Sequence, residues 1–196
     1  MGWLEEAGEG STEEIIEQLR TRLLAALMIF PVAPVSVEEG EDGELGIMDG
    51  KGTAVVFTLV DTGDGGIQLR YGAPVCEAPA RNQRNVYRML LEMLKGRCFV
   101  RFQLRGGIIS LEGALPAHAL NDTTVFHAAG EAFLFAKSTM QFLVQHHGLR
   151  PWHGDESDPQ YAMRDFWSVP LPTCPDGAHP VEKERTEALG AMLRGR

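Results

Sequence analysis

Residues 98–114 read CFVRFQLRGGIISLEGA, two alternating runs separated by Gly106 and Gly107. A two-residue loop of this kind needs positive φ at its centre, which glycine adopts without a Cβ clash. The loop sets a register in which Arg105 faces Ile108, Leu104 faces Ile109, Phe102 faces Leu111 and Arg101 faces Glu112. Val100, Phe102, Leu104, Ile109 and Leu111 then share an apolar face, and Arg101, Gln103, Arg105, Ser110 and Glu112 share the other. A slip of one residue would turn every apolar side chain into water, so the register is strongly specified.

The hairpin leaves through Leu115 and Pro116, and Asn121 or Asp122 caps the longest helix, which ends near His147 before Gly148. Val125, Ala129, Ala132, Phe133, Ala136, Met140 and Leu143 line one side, while Phe126, Phe135 and Phe142 carry the apolar surface further round. So wide a stripe exceeds what one sheet face covers. Part of it is expected to meet the C-terminal segment or another subunit.

Upstream, Ser11 with Glu14 has the capping-box spacing, and Ile15, Ile16, Leu19, Leu23, Leu27 and Phe30 recur at helical intervals up to Pro31 and Pro34. The acidic run Glu38, Glu39, Glu41, Asp42 and Glu44 reads as a solvated turn, with a short strand at Leu45 to Met48. TAVVFTLVD and IQLRYGA then form two strands around the loop 62–66. The first is apolar on both faces, and Val56 and Val60 place it at the centre of the sheet or against a partner. A helix over about Asn82 to Lys95 buries Val86, Leu90, Met93 and Leu94 and stops at Gly96. From Leu149 the chain is rich in Pro, Asp and aromatics, an irregular strap anchored by Trp152, Tyr161, Phe166 and Trp167 before a short charged helix at Val181 to Arg194.

The expected fold is therefore α+β: an antiparallel sheet packed with helices in the order α-β-β-β-α-β-β-α, plus an irregular C-terminal extension with a short helix. The divisions are a flexible N-terminus over 1–10, the α+β domain over 11–148 and the extension over 149–196.

The formal charge of −9 over 196 residues argues against a phosphate-backbone binder and suits a basic partner. Cys76, Cys98 and Cys174 are odd in number and lack metal or disulfide spacing, so a reducing cytoplasm is expected. No apolar run reaches transmembrane length, and no direct nucleic-acid or membrane contact is expected.

No catalytic set, cofactor motif or metal-ligand set stands out. Val60-Asp61-Thr62-Gly63 matches the Asp-Thr-Gly loop of aspartic proteases, whose chemistry needs two carboxylates sharing a proton. The following Asp64 would disturb such a pair, and a polar hairpin loop explains the residues. GIMDGKG at 46–52 fails the phosphate-loop spacing. His146, His147 and His153 have no carboxylate at a ligand spacing, and neighbours on a helix point about 100° apart. Cys98, at a strand start, reads as a small buried thiol. Arg81, Arg84 and Arg88 break a local rule, because cations sit poorly at the positive end of a helix. They are either a contact for an acidic partner or solvated side chains whose stems pack on the sheet rim.

From Ser11 to Gln145 the order of elements resembles the YbjN-like bacterial proteins, whose fold is similar to that of type III secretion chaperones. The residues that carry the likeness are TAVVFTLVD with IQLRYGAPV, the helix NVYRMLLEMLKG, and CFVRFQLRGGIISLEGALPAHAL leading into the long helix. The resemblance implies non-enzymatic work: a small acidic homodimer that holds a protein client, linked to stress response and regulation. A basic client, such as one that itself handles nucleic acid during stress, would complement the acidic surface. The expected contact residues are Phe126, Phe133, Phe135, Phe142, Val56, Val60, Arg81, Arg84 and Arg88. The alternatives are an aspartyl hydrolase using Asp61, and a small-ligand sensor with a pocket between the long helix and the sheet.

Overall fold

The computed structural model describes residues 2–7, 10–30, 36–40, 43–63, 66–105 and 107–152. Their elements are α1 (Trp3–Ala7), α2 (Thr12–Met28), β1 (Ser36–Glu39), β2 (Leu45–Met48), β3 (Ala54–Asp61), β4 (Ile67–Glu77), α3 (Gln83–Met93), β5 (Arg101–Arg105), β6 (Ile108–Pro116), a 3-10 turn at Ala117–Ala119, and α4 (Asp122–His147). The six strands form one antiparallel sheet in the order β1-β2-β3-β4-β6-β5. The class is α+β.

The β5–β6 hairpin has the register read from its two glycines, from Arg105↔Ile108 to Arg101↔Glu112, and Gly107 takes φ of 84°. The Ser11–Glu14 capping box closes the start of α2 reciprocally. Asn121 and Thr124 do the same for α4. Gly148 ends α4 in the left-handed region at φ 62°, a conformation that carries no Cβ penalty only for glycine.

Two elements depart from expectation. Residues 3–7 are not loose: Trp3 is buried, its backbone N–H bonds Leu120 O at 2.9 Å, and its indole N–H donates to Asp122 Oδ1 at 3.1 Å. A single tryptophan anchors a segment whose glycines and glutamates suggest none. Part of the acidic run is strand: β1 pairs with β2, Val37 opposite Ile47. Its glutamates obscure the alternation, and charge suits a strand at the sheet edge.

One face of the sheet carries the core. Val55, Phe57, Leu69, Tyr71, Ala73, Ile109 and Leu111 lie in one buried cluster with Leu19, Leu23 and Leu27 of α2 and Val125, Ala129, Phe133 and Ala136 of α4. Helix α4 packs on β3, β4 and β6 and also on α2. That central position accounts for its broad apolar girth, since two walls of the core rest on one helix. Ser110 and Glu112, expected on the polar side of the hairpin, are buried at 6% and 3% exposure. Strand β6 is hydrogen-bonded on both edges, to β4 and β5, and Ser110 and Glu112 lie on the face opposite Ile109 and Leu111.

Candidate interaction surface

The structure separates the residues expected at a contact into three groups. Phe133, Phe135 and Val56 are almost wholly covered by the chain itself, which corrects the expectation that Phe133 and Val56 face a partner, while Phe135 keeps 5% exposure and borders the groove beside Leu134. Phe135 packs against Phe102 with ring centroids 5.6 Å apart, and the Arg97 guanidinium lies 4.5 Å from its ring centre. Val56 sits under Trp152 together with Ala54. Val60 and Phe126 are half-buried, Phe126 tilted against Phe30 at 6.4 Å. Phe142 is exposed and stacks near His146 and His147, at 4.5 and 5.9 Å.

Arg81, just before α3, is exposed, as are Arg84 and Arg88 on the outer side of α3, opposite the buried Val86 and Leu90. Leu91, 67% exposed, continues this outer side one turn on from Arg88. Asn82 precedes the helix in the left-handed region at φ 58°, without a side-chain cap. It is the one non-glycine residue at positive φ among the described residues, a conformation that costs about 1 kcal/mol or more.

The outward stripe of α4 runs through His127, Glu131, Leu134, Ser138, Gln141 and Gln145. Leu134 interrupts it and is 54% exposed. An apolar residue inside a polar stripe at seven-residue spacing was a readable signal. Around Leu134 lies an open groove of about 600 Å³, lined by Phe99, Phe126, Phe135 and Gly130 together with Arg97, His127, Glu131 and Ser138. Oε1 of Glu131 is buried with no hydrogen-bond partner. That oxygen is shut off from solvent, so the groove itself is lined by apolar rings and by polar side chains without an oxygen held ready for a ligand.

A second polar feature holds the base of the sheet to α4. Lys137 Nζ donates to Asp49 Oδ2 at 2.8 Å, while Asp49 Oδ1 accepts the backbone N–H of Lys51 and of Thr53 at 2.9 and 3.0 Å. Burial alone would raise the Asp49 carboxyl. The Lys137 bond and the two backbone donors outweigh it and hold the carboxyl below its ordinary value. Asp49 and Lys51 belong to the GIMDGKG loop, so those residues form a structural clasp.

The loop after β3 turns on itself: the exposed Asp61 accepts the Gly63 N–H at 2.8 Å, and Thr62 N–H bonds Gly66 O at 2.9 Å. Asp64 and His153 lie outside the described residues, as do Tyr161, Phe166, Trp167, Cys174 and the final helix. Cys98 precedes β5 and is exposed, not buried as expected, because the strand begins only at Arg101. Cys76 is buried, and burial pushes its thiol up to about 12. Among the described residues no three His, Cys, Asp or Glu side chains gather as a metal site. No described helix is long and apolar enough to cross a membrane.

No protein-family model and no curated protein matches the chain.

Proposed function

We propose that the chain is a non-enzymatic, chaperone-like protein-binding module, of the YbjN-like and type III secretion chaperone class that its sequence resembles. It works as a homodimer in the cytoplasm, on a protein client, in a regulatory or stress-response setting. The observation that carries this reading is the groove beside Leu134. Its lining joins Phe99, Phe126, Leu134 and Phe135 to Arg97, His127 and Ser138, which suits an amphipathic helix whose anchors recur at i, i+3, i+4 and i+7. A basic client would be favoured by the net charge of −9. Leu104, 53% exposed on the edge strand β5, supports contact with a second copy.

The test pairs two measurements. Light scattering over a dilution series should give twice the chain mass at micromolar concentration, and a monomer there removes the homodimer. Binding of a basic amphipathic helical peptide, followed by its fluorescence anisotropy, should fall at least tenfold in Leu134→Asp. Equal binding by both proteins contradicts the groove.

A further inference from the structure

Helix α3 begins with charges that oppose its own dipole. Its first turn holds no acidic residue, and Asn82 gives it no side-chain cap. By contrast, α2 opens with Glu13 and Glu14, and α4 opens with Asp122. Arg81 and Arg84 stand at this positive end, where cations are unfavourable. The guanidinium groups of Arg81, Arg84 and Arg88 have no hydrogen-bond or ion-pair partner among the described residues. Glu92, the carboxylate within α3, pairs with Lys95. A chain of net charge −9 thus leaves three guanidinium groups uncompensated in one place.

Their placement is ordered. Arg84, Arg88 and Leu91 are four and three residues apart, so they fall along one line of the helix surface. All three are exposed, and Arg81 lies exposed just ahead of that line. Val86 and Leu90 hold the opposite side in the core.

We infer that the outer face of α3 docks an acidic amphipathic helix of a second protein, with carboxylates against Arg84 and Arg88 and an apolar side chain against Leu91. Helices pack on one another through side chains at three- and four-residue spacing, which is the spacing of this line. Charge complementarity selects an acidic occupant. Salt screens surface charges beyond about 8 Å, so the negative remainder of the chain opposes the contact only weakly. Leu91 argues for protein over nucleic acid, because an apolar side chain adds nothing to a phosphate-backbone contact. Affinity for that backbone also grows with the number of phosphates neutralised, which three arginines keep small. The inference rests on the protein-binding reading and adds to it a second docking face, of opposite charge preference to the client site on α4.

The experiment uses the full chain and a fluorescent helical peptide whose contact line carries glutamate, glutamate and leucine at four- and three-residue intervals. Wild type should bind it, and Arg84→Glu combined with Arg88→Glu should weaken binding at least tenfold. Arg84→Glu alone should weaken it several-fold, as should Leu91→Asp. Because glutamate suits the start of a helix, Arg84→Glu should melt no lower than wild type. Leu134→Asp should leave affinity for this peptide unchanged, so failure of the α3 face and failure of the α4 groove are read separately. In the Leu134→Asp background, a peptide with lysines in place of the glutamates should bind better once Arg84 and Arg88 are reversed. No binding by wild type, or equal binding by wild type and a folded Arg84→Glu, would overturn the inference. A lower melting temperature for Arg84→Glu would show that the chain itself uses the arginine and would overturn it too. A duplex DNA that binds more tightly than the peptide, and loses that binding in the double variant, would assign the face to nucleic acid and contradict the partner inferred here.

Discussion

The ring of Tyr71 lies against Gly113, its directly opposite partner on β6, and its hydroxyl donates to the carbonyl of Phe99. A Cβ at position 113 would overlap both the ring and that carbonyl. The glycine is therefore a space requirement: it lets a fully buried tyrosine cross the strand and tie down the segment leading into β5. Gly113→Ala should cost about 3 kcal/mol or more, as overpacking against backbone does. Tyr71→Phe keeps the ring and should cost only about 1–2 kcal/mol for the lost bond to Phe99. Urea denaturation of both variants checks the order. A cheaper glycine variant would show that β6 can move.

The Asp49 clasp predicts an acid-side loss of stability. Its carboxyl lies below the ordinary 3.8 in the folded chain. Its contribution is therefore complete above that value and is lost as pH falls through the lower folded value. Asp49→Asn should lower stability by about 2 kcal/mol at pH 7 and flatten the pH dependence below 4, because an amide cannot pair with Lys137. Melting curves between pH 2.5 and 7 measure both effects.

Phe135 and Phe142 should behave as opposites despite lying two turns apart on one helix. Phe135→Asp removes a buried ring packed on Phe102 and puts a carboxylate in its place, and should cost at least about 3 kcal/mol. Phe142→Asp, at an exposed site, should change stability by no more than about 0.5–1 kcal/mol. Thermal melting distinguishes them directly.

The two cysteines within the described residues should differ in reactivity. Cys98 is exposed, and Cys76 is buried with its thiol pushed up to about 12. Iodoacetamide at pH 8 should label the Cys98 peptide within minutes and the Cys76 peptide only after denaturant is added. Mass spectrometry of the digest reads the result.

The hairpin register, the capping box of α2, the start of α4 at Asn121 or Asp122 and the strand at Leu45–Met48 were all legible, because each depends on spacing within a few residues. The buried state of Trp3, Phe135 and Glu112 was not. Trp3 and Phe135 are decided by what lies across the fold, Asp122 for Trp3 and Arg97 and Phe102 for Phe135. The wide apolar girth of α4 showed how much surface needed cover. It could not show that α2 and the sheet supply most of that cover, which leaves Leu134 and Phe142 as the exposed large apolar side chains of the helix.

The central claim is that the α4 groove takes a protein segment. Photo-crosslinking from a benzophenone amino acid at position 134, compared with position 13 on the solvent side of α2, tests it most directly. The account predicts a discrete adduct from position 134 that excess unlabelled basic helical peptide removes, and none from position 13. No adduct at 134, or the same adducts from both positions, would contradict it.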